Sequence, residues 1–405
     1  VPKIAPFSAV RPTNDFINQV AVNSHLSPNA VELTAILQEN PFSYYHIFKP
    51  QFHFNSVDDK SGKFFKYGKN YFNQLKEQQV LKKDHTPVFY FYKITQEDGN
   101  SFAGIIAKAS ASDYANGLIK KHEHTLVEKE RLLARHIEDT GIIGEPVLLS
   151  HPSSEVIDQL LLRIMGNAPD SAFEMPDKTK HELWLVSDND SIQQIQGYYA
   201  SLKAFYIADG HHRCASMYRF IEANQLDDLN MLAYIVPENQ LKIYPFYRML
   251  ATQNELPIEQ LKLKLSANFN VLNASFSEAT NLMEDEILLC NQSFCLKLQY
   301  KASIEKHPDP AQNTNVAVLE RYVLNPVFDV VDSRNDERLT FCPGKNAQIT
   351  VDSYLAESPT NMVFYLPSIT PTQIAEVSDF GSVLPPKSTY IEPKLLSGAV
   401  ILEFP

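Results

Sequence analysis

The stretch FYIADGHHRCASMYRF, Phe205 to Phe220, constrains this chain more than any other. An apolar run of strand length stops at Asp209-Gly210-His211-His212-Arg213, and a helical pattern begins at once. Cys214, Met217, Tyr218 and Ile221 recur at i, i+3, i+4 and i+7, so the helix starts at the polar motif itself. The first backbone N–H groups of such a helix are unpaired and lie at the positive end of its aligned peptide dipoles. An anion fits there, and Gly210 lets a phosphate approach the backbone closely. Arg213 adds a planar bidentate donor, and His211 and His212 can donate further hydrogen bonds. Asp209 has two candidate roles, N-capping the helix or holding Mg2+ beside a phosphate. The plain alternative is a capped helix with satisfied polar side chains.

No other phosphate loop competes with it. With 13 glycines in 405 residues, no GxGxxG follows a strand, and CPGKNAQI lacks the Ser or Thr and the upstream glycine of a Walker A loop. A formal charge of −12 argues against general nucleic-acid binding, which needs a basic face. No apolar run approaches the roughly 18 residues of a membrane span. The start, VPKIAPFSAVRP, has neither the basic residues nor the apolar stretch of a secretory signal, so a cytoplasmic protein without a membrane partner is expected. Four cysteines are too few for a disulfide scaffold and lack zinc spacing. Reduced thiols are expected, with Cys290 and Cys295 as small buried apolar residues.

NAVELTAILQEN reads as a helix ended by Pro41, and PVFYFYKITQEDGNSFAGIIAKAS as a hairpin turning at Asp98-Gly99. HTLVEKERLLARHIEDTG reads as a helix with a Thr125–Glu128 capping box and a stop at Gly141. PVLLSH, HELWLVS, AFYIA and MLAYIVP are short strands. After Pro237 come a helix in LPIEQLKLKLSANF, strands in SFCLKLQY and NMVFYLPS, a helix or turn in RYVLNPVFD and a helix in PTQIAEVSDFG. Without regular βαβα alternation the expected class is α+β. The expected division is an N-terminal extension over 1–85, a core over 86–238 and a C-terminal α+β domain over 239–405.

Two further constellations carry chemistry. In IKKHEHTLVEKE, Glu123 sits between His122 and His124, a carboxylate suited to general-base work near an anion site, although the residues by themselves favour a solvated, charged helix entrance. In LPPKSTYIEPK two prolines pin the backbone ahead of Lys387, Ser388 and Thr389, a cation and two hydroxyls that suit a phosphate or substrate, or simply a surface turn.

PFSAVRP, NPFSYYHI, KHEHT, HELW, YIADGHHR and LPPKSTYIEPKLLSG together resemble a bacterial family, domain of unknown function 1015. That family's core is ParB/sulfiredoxin-like, and its relatives include archaeal ADP-dependent free serine kinases. The resemblance implies that Gly210 to Arg213 contact nucleotide phosphates and that Glu123 is the base for a substrate hydroxyl, flanked by His122 and His124. It makes Lys387, Ser388 and Thr389 candidate phosphate or substrate contacts, with ADP or ATP and Mg2+ as cofactors. Departures accompany it. His211 stands where sulfiredoxin has its catalytic cysteine, and VAVNSHLS, with Asn23, Ser24 and His25, replaces a Pro-Pro-Tyr-Asp stretch common in the family.

The expected function is nucleotide-dependent phosphoryl transfer to a small hydroxylated metabolite, serine or a relative. The alternative is a nucleotide-binding regulatory module with little or no catalysis. Substrate, ADP versus ATP preference, metal count and oligomeric state are not legible in the residues.

Overall fold

The hairpin forms as read. Phe89–Thr95 and Ser101–Ser110 pair antiparallel, and Gly99 takes the left-handed conformation that the turn requires, φ +84°. Both strands are apolar on both faces because they lie inside a nine-stranded mixed sheet. From one edge its order is Ile119–Lys120, Phe205–Asp209, Val147–His151, Asn230–Pro237, Ser101–Ser110, Phe89–Thr95, Lys180–Val186 and Ser171–Glu174, with Ile4–Ala5 also on Ser101–Ser110. Two pairings are parallel, Phe205–Asp209 with Ile119–Lys120 and Asn230–Pro237 with Val147–His151; the rest are antiparallel. Helices Val127–Thr140 and His211–Ala223 pack on each other, and Phe91, Leu149, Ile207, Met217 and Ile235 are buried in the core.

This computed structural model describes residues 1–26, 28–54, 62–226, 229–252 and 256–404, so Ser27 of the VAVNSHLS stretch lies outside the described residues. They fold as two units. The first comprises residues 1–120, 124–241 and 393–405; the second comprises 121–123 and 242–392. In the second, Phe269–Asn273, Cys295–Tyr300, Glu286–Cys290, Met362–Tyr365, Lys242–Leu250 and Leu339–Pro343 form an antiparallel sheet, with Thr389–Glu392 also on Lys242–Leu250. RYVLNPVFD becomes a π-helical turn, Glu320–Leu324, running into the short helix Asn325–Phe328. The class is α+β. No helix among the described residues is long and apolar enough to cross a membrane.

Two local expectations are corrected. Cys290 and Cys295 are buried but not reduced: they face each other in the antiparallel register, Cα atoms 4.2 Å apart, and form a disulfide. Only Cys214 and Cys342, both buried, are free among the described residues. The Thr125–Glu128 capping box does not form. The helix begins at Val127 with Leu126 as N-cap, and the Thr125 hydroxyl donates instead to Glu130 Oε1 at 2.6 Å. Arg219 fixes the Glu130 carboxylate by its other oxygen, at 3.0 Å from Nε and 2.5 Å from Nη2, and so holds Oε1 within reach of the Thr125 hydroxyl.

Candidate functional site

The strand Phe205–Asp209 ends in a register slip between Ile207 and Asp209, a bulge of the kind that re-aims a side chain. Gly210 follows at φ +96° and is the N-cap residue of the helix His211–Ala223. A Cβ at Gly210 would lie 2.9 Å from Arg213 Nε, so glycine is required both by conformation and by the close approach of the guanidinium. The N-cap is Gly210, which has no side chain to cap with, and this corrects the N-cap role considered for Asp209. The backbone N–H groups at the start of the helix therefore lack intrahelical partners, with the dipole's positive end behind them.

Asp209 is taken up by cations. Its Oδ2 accepts from Arg213 Nη2 at 2.8 Å, and its Oδ1 accepts from Lys394 Nζ at 3.1 Å. Burial pushes its carboxyl up, but Lys394 and Arg213 outweigh that and hold it at about 2. Arg213 Nη1 also meets Glu145 Oε1 at 2.8 Å, while Arg213 Nε is buried without a hydrogen-bond partner among the described residues. Glu145 Oε1 in turn accepts from Ser24 Oγ at 2.8 Å, and Ser24 Oγ accepts from Ser397 Oγ at 2.9 Å. Ammonium, carboxylate, guanidinium, carboxylate and two hydroxyls thus run in one continuous chain.

The C-terminal strap brings these distant residues together. Ser397 exchanges backbone hydrogen bonds with Val22 at 2.9 and 3.0 Å, Gly398 N–H donates to Gly144 C=O at 2.8 Å, and Leu402–Glu403 pairs with Ile142–Ile143. The strap so lies between the residues leading into Ser24 and those leading into Glu145. Tyr44 fills the space against both glycines: a Cβ at Gly144 would sit 2.1 Å from Tyr44 Oη, and one at Gly398 would sit 2.5 Å from Tyr44 Cγ.

His211 is buried. His212 is half-buried and accepts at Nδ1 from the Leu126 N–H at 3.3 Å, which leaves the proton on Nε2; burial lowers its pKa. The residues after His124 therefore reach the Gly210 turn. His122 and Glu123, by contrast, group with the second unit, as do Lys387, Ser388 and Thr389. His122 is buried, which lowers its pKa to about 4, whereas Glu123 and His124 are exposed. Lys387 stands in the left-handed region at φ +56° with Nζ 5.4 Å from the Phe246 ring centroid, a cation–π contact. The Ser388 hydroxyl donates to Pro385 C=O at 2.6 Å, and Thr389 pairs with Pro245. Fully buried Arg248 fixes this turn, donating to Pro386 C=O at 3.2 Å and Phe246 C=O at 2.7 Å.

Sequence reasoning missed Glu145, Lys394, Ser24 and Ser397. Glu145 lies in GIIGEPVLL, and Lys394 and Ser397 lie in EPKLLSG, beside stretches already singled out. Nothing local marks the Ser24–Ser397 contact, which joins residues 373 positions apart. The residues fit a phosphate better than a protein-held metal. Both Asp209 oxygens already carry a cation, and no group of three or more His, Cys, Asp or Glu among the described residues could hold an ion.

Residues 4–332 match the family described as "Protein of unknown function (DUF1015)". No curated protein matches the chain in sequence. Among solved structures, SbnI with C-terminal truncation from Staphylococcus aureus is similar at 11% identity and TM-score 0.39, over 73% of this chain and 86% of that one. A free serine kinase in complex with AMP is similar at 11% identity and TM-score 0.35, over 74% and 91%. A conserved hypothetical protein from Pyrococcus furiosus is similar at 12% identity and TM-score 0.34, over 74% and 95%. These TM-scores are low, and the functional reading rests on the chain's own residues.

Proposed function

The chain belongs to the DUF1015 family, and we propose that it binds the phosphates of a nucleotide at the Gly210 turn and transfers a phosphoryl group to a small hydroxylated acceptor. One observation carries this reading: Arg213 and Lys394 converge on a single carboxylate at a helix N-terminus whose N-cap is a glycine. Asp209 holds both cations in position while the guanidinium keeps N–H donors to spare, since only two of its five are committed to Asp209 and Glu145. Phosphoryl transfer asks mainly for positioning and charge stabilisation, which backbone N–H groups, an arginine and a lysine supply. Mg2+, when present, would enter on the phosphate oxygens rather than on a protein cage. Exposed Glu123 is the proposed proton acceptor, with exposed His124 beside it; buried His122 is neutral at pH 7 and supports the segment through its C=O, which accepts from Leu384 N–H at 2.9 Å. Lys387 and Thr389 remain proposed phosphate or substrate contacts.

Calorimetric titration with ADP, ATP and CTP, with and without Mg2+, tests the phosphate site. At least one nucleotide should bind, and Lys394→Met should weaken it about tenfold. Asp209→Asn should tighten it by about as much, because it removes a negative charge from a balanced cluster of two cations and two carboxylates. Loss of affinity in Asp209→Asn would instead mean that the carboxylate's placement of Arg213 and Lys394 outweighs its charge. Once an acceptor is found, with serine screened first, Glu123→Gln should lower kcat by about 10²- to 10⁴-fold and leave nucleotide affinity intact. The pairing of Arg213 with two carboxylates favours a second reading, a nucleotide-binding module without transfer. Under it nucleotide binds, no acceptor is phosphorylated, and Glu123→Gln changes nothing.

A further inference from the structure

From the Ser397–Ser24–Glu145–Arg213 chain we infer that Ser24 is itself a phosphoryl acceptor, so that the protein phosphorylates its own serine from the nucleotide bound at the Gly210 turn. This rests on the phosphate-site reading above. Ser24 Oγ is oriented as a nucleophile: its proton points at Glu145 Oε1 at 2.8 Å, and Ser397 Oγ donates to it at 2.9 Å. Ser397 is wholly buried and pinned by backbone hydrogen bonds to Val22, so the hydroxyl that orients Ser24 is rigid. Ser24 is only half-buried, which leaves its oxygen reachable. The same Glu145 oxygen meets Arg213 Nη1 at 2.8 Å, so the Ser24 oxygen stands two hydrogen bonds from the guanidinium proposed to hold phosphate.

In the step, Ser24 Oγ forms a bond to the terminal phosphorus while the bond from that phosphorus to the bridging oxygen breaks. The nucleotide leaves one phosphate shorter, and the serine proton passes to Glu145. A loose phosphoryl-transfer transition state asks little of its base, so a carboxylate suffices. The phosphoserine formed would stand beside Arg213, which offers it charge-assisted hydrogen bonds.

The full chain is incubated with Mg2+ and ATP, ADP or CTP, then analysed by intact-mass and peptide mass spectrometry, with calorimetric titration in parallel. One phosphoryl group should appear on the peptide containing Ser24. Ser24→Ala should reduce incorporation to background at nucleotide concentrations shown by calorimetry to saturate that variant, and Ser24→Thr should restore it. Nucleotide binding with no phosphoserine in the wild-type chain, phosphate on another residue, or undiminished incorporation in Ser24→Ala would overturn the inference while leaving the phosphate site standing. Absence of nucleotide binding in the wild-type titration would overturn both.

Discussion

Acidification from pH 7 to pH 5 should cost the first unit about 6 kcal/mol of stability, roughly 2 kcal/mol from each of three histidines. His136, His151 and His181 are each lowered to about 4 by burial, against which a backbone hydrogen bond or a neighbouring carboxylate recovers only part. In the unfolded chain each titrates near 6.5. Between those values the unfolded state binds protons that the folded state refuses. Their contribution is therefore complete above pH ~6.5 and is lost as pH falls towards ~4. Such a loss is comparable to the whole stability of an ordinary domain. Denaturant midpoints measured from pH 8 to pH 5 should fall steeply below pH ~6.5. His181, whose Nδ1 lies 2.7 Å from the Tyr92 hydroxyl while Nε2 has no partner, gives the specific control. His181→Gln should flatten the slope, since it removes one of these titrations. A stability profile that stays level from pH 7 to pH 5 would show that these rings are hydrated.

Gly398→Ala should destabilise the first unit by about 3 kcal/mol and weaken the proposed nucleotide binding in the same variant. Two costs add. Gly398 lies at φ +84°, where a Cβ is strained, and that Cβ would press within 2.5–2.7 Å of the Tyr44 side chain. Tyr44 has nowhere to go because Gly144 packs against its hydroxyl end. The neighbours of these glycines are Ser397 and Glu145, so displacing the strap moves the hydroxyl and the carboxylate that flank Arg213. Thermal unfolding and titration should respond together, and the pair Gly398→Ala with Tyr44→Leu should recover part of the stability by opening the space. Full binding in a destabilised Gly398→Ala chain would show that the strap supports the fold without setting the site.

Much of the fold was legible because its signals are local. Gly99, Gly141 and Gly381 all take positive φ at the ends of the elements that the sequence pattern gave them. The helix after Arg213 shows its apolar spacing directly, with Cys214, Met217 and Ile221 buried. The expectations that failed were those in which a tertiary partner outbid a local one. As a cap Thr125 would have accepted from the Glu128 N–H, yet its hydroxyl donates to Glu130, whose carboxylate is held in place by Arg219, 89 residues away. Cys290 and Cys295 flank a short NQSF turn, and the disulfide became plain only when the strand register set them opposite each other.

The same division runs through the candidate site. Sequence alone determined the α+β class, the strand-to-helix junction at Asp209-Gly210 and the anion-friendly chemistry of Gly210 and Arg213, because period, glycine conformation and helix-end polarity are properties of adjacent residues. Tertiary structure decided what Asp209 does. A carboxylate beside an open helix end can cap it, bind a metal or pair with cations, and the choice fell to Lys394, 185 residues away. It decided equally that Arg213 bridges to Glu145 and that Ser24 and Ser397 complete the chain, since only the C-terminal strap between Val22 and Gly144 brings those groups within hydrogen-bond reach.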